Sequence, residues 1–225
     1  GSAMKKIRQI AIIGAGGGGR TVADIIRHRE AFGDRVSTIG FIDEDPALAG
    51  RNLSGLPVLG DFSWFNTPAR RSVLVVCAVG TPVSCRKLAL KAIKIGLSFA
   101  EVISPLAYLS PRAVLGQGVT LFPYTVVSDS ARLGDHCMMA VGSSVGHDSV
   151  MGAYSILNPG ARLAGSVTLG EGCNIGMGAT VIQGRTIGAW TTVGAGAAVV
   201  RDLPANITAV GVPAKPIAKY GKRRA

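Results

Sequence analysis

An unbroken six-residue period dominates the second half of the chain and constrains its fold more than any other feature. Counted in sixes from Leu115, the first position is aliphatic in fifteen consecutive hexads. These residues are Leu115, Leu121, Val127, Leu133, Met139, Val145, Met151, Leu157, Leu163, Leu169, Ile175, Val181, Ile187, Val193 and Val199. An α-helix repeats every 3.6 residues and an ordinary strand every two, so neither explains the pattern. The period predicts short strands alternating with turns, with the aliphatic side chains facing inward.

Two further hexad positions support this prediction. The fifth position is mostly small, at Thr125, Ala131, Cys137, Ser143, Ser149, Ser155, Ala161, Cys173, Ala179, Thr191 and Ala197. The second position is often glycine, at Gly116, Gly134, Gly146, Gly152, Gly170, Gly176, Gly188 and Gly194. Three hexads can then close a triangular coil, with the small residue at the corner and glycine easing the turn. Coils stacked at about 4.8 Å would form a left-handed parallel β-helix.

Residues 18 positions apart lie in one column of such a stack, one coil apart. Cys137 and Cys173 are therefore separated by two coils, about 9.6 Å, which is beyond the reach of a disulfide. The four cysteines show no CxxC spacing, so we expect reduced thiols and a cytoplasmic protein. Arg185 breaks the small-residue rule, and its side chain must either open the corner or turn outward.

The first hundred residues follow a different pattern, in which β-rich and helical segments alternate. Strands are predicted at 7–13, 36–42, 73–79 and 98–103, and helices at 21–28 and 83–95. This alternation is typical of a parallel α/β domain. We predict a Rossmann-like domain over 4–103, the β-helix over 104–203, and a C-terminal segment with a basic tail over 204–225.

A glycine-rich motif, Gly14-x-Gly16-x-x-Gly19, follows the first predicted strand. Alone it is a weak dinucleotide fingerprint, and Asp43 ends the second strand where a ribose-binding acid belongs. A nicotinamide enzyme is therefore one interpretation. However, one small α/β unit joined to a long β-helix leaves little room for the substrate domain of a dehydrogenase.

The formal net charge of +11 favours anionic partners. Aromatic residues make up only 5% of the chain and no nucleic-acid-binding motif stands out, so we expect no nucleic-acid partner. Pyrophosphates of coenzyme A or a nucleotide sugar suit the charge equally well. Part of the excess lies at the chain ends, where a solvated tail is the alternative interpretation. No run of 18 apolar residues exists, so no membrane span is predicted.

Several motifs, in their order along nearly the whole chain, resemble the PglD/NeuD-type sugar acyltransferases. They are the glycine-rich start, FIDEDP at 41–46, the hexads, Val145-Gly146-His147-Asp148, and GVPAKPI at 211–217. The resemblance implies an N-acetyltransferase that uses acetyl-CoA as co-substrate and a nucleotide-linked amino sugar as acceptor. It also implies a homotrimer with active sites between neighbouring β-helices.

The same resemblance implies roles for individual residues. His147 would be the general base and Asp148 would orient it, although an exposed histidine without a role is the alternative. Gly165, 18 residues after His147, would polarise the thioester carbonyl through its N–H, or else simply form a turn. Met177 and Ala195 would line the coenzyme groove, with Lys215 near the phosphates. The nucleotide sugar would contact Gly14, Gly16, Gly17, Gly19, Asp43 and Glu44.

Three positions depart from the family pattern. Gly18, Ala140 and Ile156 stand where relatives often have His or Phe, Asn, and His respectively. These departures bear on the identity of the sugar.

Three other functions are open at this point. Transfer to a sugar hydroxyl, as in sialic acid metabolism, would use the same fold. A metalloenzyme of the γ-carbonic anhydrase kind needs three histidines around zinc, whereas the β-helix segment holds only His136 and His147, so no metal is expected. A scaffold or nucleic-acid binder is supported by the charge alone.

Overall fold

The computed structural model describes residues 7–217. The chain forms two units, one containing the residues up to Gly80 with Ser84–Pro105, the other Thr81–Val83 with the chain from Leu106 on. Lys5, Lys6 and the predicted basic tail from residue 218 lie outside the described residues.

The N-terminal unit is built on a five-stranded sheet in the order β3-β4-β2-β1-β5. The strands are β1 Arg8–Ile13, β2 Val36–Ile42, β3 Asn52–Leu53, β4 Leu56–Gly60 and β5 Leu74–Cys77. The helices are α1 Gly17–Ala31 and α2 Pro82–Lys94, with 3-10 turns at Pro46–Leu48, Phe62–Asn66 and Pro68–Ser72. All pairings are parallel except the β3–β4 hairpin. Within residues 7–217 no helix is long and apolar enough to cross a membrane.

The sheet confirms the predicted α/β pattern and differs from it in two places. The strand predicted over 98–103 is reduced to a bridge between Phe99 and Val75 and a two-residue strand, Val102–Ile103. The hairpin of β3 and β4 is additional. Its arms contain too few residues for an alternating pattern to be recognised in the sequence.

The C-terminal unit is a left-handed parallel β-helix of two-residue strands in three sheets. Sheet I contains Tyr108–Leu109, Val126–Val127, Ser144–Val145, Arg162–Leu163, Thr180–Val181 and Ala198–Val199. Sheet II contains Val114–Leu115, Arg132–Leu133, Val150–Met151, Thr168–Leu169 and Thr186–Ile187. Sheet III includes Thr120–Leu121, Met138–Met139, Ile156–Leu157, Asn174–Ile175, Thr192–Val193, Thr208–Val210 and, antiparallel at its end, Lys215–Ile217. Neighbouring coils pair in the predicted 18-residue register, as between Val127, Val145 and Leu163.

The interior of the β-helix confirms the hexad assignment. Every first-position residue from Leu121 to Val199 is buried, and Leu115, near the start of the stack, is half-buried. The small fifth-position residues are buried as well, including Cys137 and Cys173. All four cysteines are thiols outside any disulfide, as predicted from their spacing.

The second-position glycines have a structural role other than the predicted one of easing the turn. They do not supply a special turn conformation; they lie against the backbone of the next coil. A Cβ on Gly152 would come within 2.5 Å of the Glu171 nitrogen, and one on Gly134 within 2.7 Å of the Ala153 nitrogen. The turn itself is made at the fourth position, where φ is positive, as at Asp148 (59°) and Gly178 (65°). The left-handed conformation is therefore a property of the fourth position, and many non-glycine residues adopt it.

The exceptional Arg185 turns outward. Its side chain donates to the Gln183 carbonyl at 3.3 Å and pairs with Asp202 at 3.7 Å. Asp202 also accepts the Thr186 N–H at 2.9 Å. The sequence left two outcomes open, an opened corner or an outward side chain. The side chain turns outward, and the corner stays closed.

Candidate active site

His147 lies on the edge where sheet I turns into sheet II, called here the I–II edge. It occupies the third hexad position, and its side chain is 67% exposed, which confirms that it points outward. Its Nδ1 lies 2.8 Å from Asp148 Oδ2. Because a carboxylate only accepts hydrogen bonds, the neutral ring carries its proton on Nδ1. Nε2 is then the atom with a free lone pair, which can take a proton from another group.

Gly165 lies beside this free nitrogen, one coil further on. The Ser166 N–H donates to the His147 carbonyl at 2.8 Å, which sets the register of the two turns. A Cβ on Gly165 would come within 2.6 Å of His147 Cε1 and closer still to Nε2. Glycine at this position therefore leaves the space that the imidazole occupies.

The amide of Gly165 is placed differently from those of Ala164 and Ser166, as are the amides at other third hexad positions such as His147 and Met177. The N–H groups of Ala164 and Ser166 donate to the carbonyls of Val181 and His147, at 3.0 and 2.8 Å. Among the hydrogen bonds of residues 7–217, none uses the Gly165 N–H. A backbone donor that coil stacking leaves unused can polarise a carbonyl under attack.

An ion pair lies next to the dyad on the same edge, between the two preceding coils. Arg112 donates to both carboxylate oxygens of Asp129, with Nε at 2.6 Å from Oδ1. The Asp129 carbonyl accepts the Asp148 N–H at 3.0 Å, so the pair and the dyad share a backbone connection. The hydrogen bonds from Arg112 lower the pKa of Asp129, and those to Asp129 raise the pKa of Arg112, to which the charge of Asp148 also contributes. Nothing in the sequence singled out this pair.

The residues predicted for the coenzyme groove lie on another edge of the same chain. Met177 and Ala195 both stand where sheet III turns into sheet I, one coil apart. Lys215 is exposed and pairs with Val210 at the end of sheet III. These three residues are therefore grouped together, whereas His147, Asp148 and Gly165 form a second group on the I–II edge.

The glycine-rich loop of the N-terminal unit lies at the carboxyl end of β1, between its neighbours β2 and β5. This is the point of an α/β sheet where ligands commonly bind. Gly14 has φ of +108°, and a Cβ on Gly19 would come within 2.9 Å of the Gly14 carbonyl carbon, so both positions require glycine. Gly16 and Gly17 have open space around them and stand at the start of α1, where unpaired N–H groups favour anions.

The two acidic residues predicted to meet the nucleotide are already engaged within the chain. Asp43 accepts the Ala15 N–H at 2.8 Å with one oxygen and the Asp45 N–H at 3.0 Å with the other. This carboxylate therefore holds the glycine-rich loop against the end of β2. Glu44 forms an ion pair with Lys91.

A cavity of about 440 Å³ opens beside these acids. It is lined by Asp43, Glu44, Asp61, Trp64 and Arg70, among others. The Arg70 guanidinium stacks on the Trp64 ring, 4.7 Å from its centroid. The cavity therefore combines an aromatic face with negatively charged carboxylates and a positively charged guanidinium.

The second histidine of the β-helix lies apart from the dyad. His136 is buried on the II–III edge and stacks on Tyr154 with 5.4 Å between the ring centroids. Burial lowers the pKa of His136. Among residues 7–217, no cluster of three or more His, Cys, Asp or Glu could hold a metal ion.

Two of the departures from the family pattern are buried. Ala140 and Ile156 are 8% and 2% exposed, so both contribute to packing. At Gly18, a Cβ would lie 3.2 Å from the Ala78 carbonyl oxygen, so a larger residue would require a small shift.

Comparison with known proteins identifies the class. The profile of the PglD N-terminal domain matches residues 9–91. Perosamine N-acetyltransferase from Caulobacter crescentus, solved with CoA and GDP-perosamine, is 36% identical, with a TM-score of 0.86 over 96% of this chain and 100% of that one. The acetyltransferase domain of PglB from Neisseria gonorrhoeae is 33% identical, with a TM-score of 0.84 over 93% of this chain and 100% of that one. WeeI from Acinetobacter baumannii AYE is 29% identical, with the same TM-score over 93% and 100%. A comparison with curated proteins found no match.

The fold and its similarity to these acetyltransferases define a hexapeptide-repeat acyltransferase. Sequence identity above 30% over nearly the full length of both chains narrows this class to one family. The chain belongs to the PglD-type sugar acyltransferases.

Proposed function

We propose that this protein transfers an acetyl group from acetyl-CoA to the amine of a nucleotide-linked amino-deoxy sugar. The observation that carries the proposal is the dyad itself, a histidine with Nδ1 held at 2.8 Å by a carboxylate and Nε2 beside an unused backbone N–H. Relatives of 33 to 37% identity that were solved with acetyl coenzyme A, or with CoA and GDP-perosamine, support both substrates.

In this mechanism the sugar amine attacks the thioester carbonyl directly. Nε2 of His147 accepts a proton from the nitrogen as the C–N bond forms. Asp148 holds the ring through Nδ1 and stabilises the imidazolium that results. The coenzyme leaves as a thiol, and the proton on His147 is available to its sulfur.

The developing oxyanion needs a donor on the opposite side of the carbonyl. The Gly165 N–H is suited to this task because the coil stacking leaves it unused. No acyl-enzyme is formed in this mechanism, so the nucleophiles typical of covalent catalysis are not needed.

The N-terminal unit would hold the nucleotide. The open amides at Gly16 and Gly17 suit a pyrophosphate, and the neighbouring cavity of about 440 Å³ suits a ribose and base. Asp43 would then act mainly by shaping the loop, since both of its oxygens accept N–H groups.

A homotrimer would bring the two groups of β-helix residues together. Met177, Ala195 and Lys215 lie on a different edge from His147, so a groove containing both groups requires two copies of the chain. For a homotrimer, light scattering should give three times the mass of the chain. A monomer with full activity would contradict this part of the proposal.

The test is acetyl transfer with a panel of GDP-, UDP- and dTDP-linked amino-dideoxy sugars, measured as free thiol released from acetyl-CoA. Turnover with one panel member and an N-acetylated product by mass spectrometry would support the proposal and name the acceptor. Transfer to a sialic acid or another hydroxyl, with no turnover on any amine, would overturn it in favour of O-acetylation.

A further inference from the structure

The His147–Asp148 dyad has a second carboxylate next to it. Val126 pairs with Ser144 and Val127 with Val145, so Asp129 stands one coil before His147 in the same column. The backbones of adjacent coils are about 4.8 Å apart. With Asp148 bound to Nδ1, two carboxylates therefore stand near one imidazole.

Arg112 neutralises one of these two negative charges, that of Asp129. Its guanidinium donates to both oxygens of Asp129 and lies near enough to Asp148 for the two charges to interact. The remaining surroundings of His147 add little negative charge. Gly165 and Ser166 on the following coil are neutral, and the flanking strands of sheets I and II contribute Arg162 and Arg132.

Two anions beside a histidine favour its protonated form, and a protonated histidine cannot act as a base. We propose that Arg112 and Asp129 are positioning residues that keep His147 in its neutral, proton-accepting form, because the arginine cancels the second carboxylate. The inference rests on the proposed function only for its catalytic consequence. The charge coupling itself is a property of the folded chain.

The effect can be scaled from the geometry. Unit charges about 5 Å apart at a solvated surface shift a titration by about half a pH unit. Arg112→Gln leaves Asp129 as an uncompensated anion, so His147 should titrate about half a pH unit higher. The acidic limb of the pH profile of kcat/KM should move by the same amount and in the same direction.

The experiment uses the full chain and two independent readouts. Proton NMR follows the titration of the His147 ring in three proteins: the parent, Arg112→Gln, and the double variant Arg112→Gln with Asp129→Asn. A His147→Asn variant identifies the His147 signal among those of the three histidines. The double variant should restore the parental titration. Arg185→Gln is the matched control, because it breaks an arginine–aspartate pair on the same edge about two coils away, beyond most of the screened interaction.

An unchanged His147 titration in Arg112→Gln would overturn the inference, as would a higher KM for the acceptor without any shift in the pH profile. The latter result would make Arg112 a substrate contact. The NMR titration needs no turnover, so a failure of the proposed acetyl transfer would leave this result readable on its own.

Discussion

Replacing Gly165 with alanine should separate catalysis from folding. The added Cβ would lie within 2.6 Å of His147 Cε1 and 3.0 Å of Cδ2, whereas ordinary contacts begin near 3.4 Å. The ring must therefore withdraw by roughly 1 Å. Since His147 is 67% exposed, it can swing into solvent at little cost to stability, about 0.5 kcal/mol or less.

The catalytic cost should be much larger than the cost to folding. A misplacement of about 1 Å at a reacting group lowers the rate by about 100-fold, or about 2.7 kcal/mol of transition-state stabilisation. Alanine keeps the backbone N–H, so the loss would report the position of the ring and not a missing donor. The assay is kcat/KM from thiol release, together with the free energy of unfolding from urea denaturation.

Gly184→Ala is the matched control on the same edge, one coil further. It has no heavy atom within 4 Å of a new Cβ, but its φ of +68° strains any larger residue. The control should lose about 1 kcal/mol of stability and keep its activity, the opposite of Gly165→Ala. A Gly165→Ala enzyme as active as the parent would refute the geometric argument.

Three further predictions address the dyad, the stack and the thiols. Asp148→Asn should lower kcat by about tenfold to 100-fold, because the amide can hold Nδ1 but cannot stabilise the imidazolium; parental kcat would exclude an electrostatic role. Gly152→Ala should destabilise the fold by about 2 to 3 kcal/mol, because its Cβ would overlap the backbone of the next coil. Gly178→Ala should cost only about 1 kcal/mol, through strain at its positive φ. Urea denaturation measures both, and equal losses would contradict the different roles given to the second and fourth hexad positions. Burial raises the pKa of Cys173 from 9.0 to about 11. The stability linked to this thiol should therefore be present below about pH 9 and fall as the pH rises toward 11, and a Cys173→Ala variant should lose that dependence.

The β-helix could be predicted because its signal is repeated. One hexad starting at Leu121 would be uninformative, but fifteen in phase leave a single fold, which buries all of them except the half-buried Leu115. The role of the glycines could not be read in the same way. Periodicity shows that glycine recurs at position two, but not whether φ or the adjacent coil favours it, and the structure assigns Gly152 to the adjacent coil.

The site was predictable to the extent that it follows the 18-residue column. That rule placed Gly165 beside His147, and the structure confirms it. The pairing of Arg112 with Asp129 was not recognised, because charged residues on exposed turns are common and nothing in their spacing says which will pair. The available signal was the 17-residue separation of Arg112 and Asp129, which puts them on adjacent coils of one edge.

The central claim is that His147 is the base for acetyl transfer to a sugar amine. The most direct measurement is thiol release by the parent and by His147→Ala, side by side, with the nucleotide-linked amino sugar that the parent accepts. The account predicts a loss of about 100- to 10,000-fold in kcat with acetyl-CoA binding retained. Full activity in His147→Ala would contradict the mechanism, even though the fold and the family would stand.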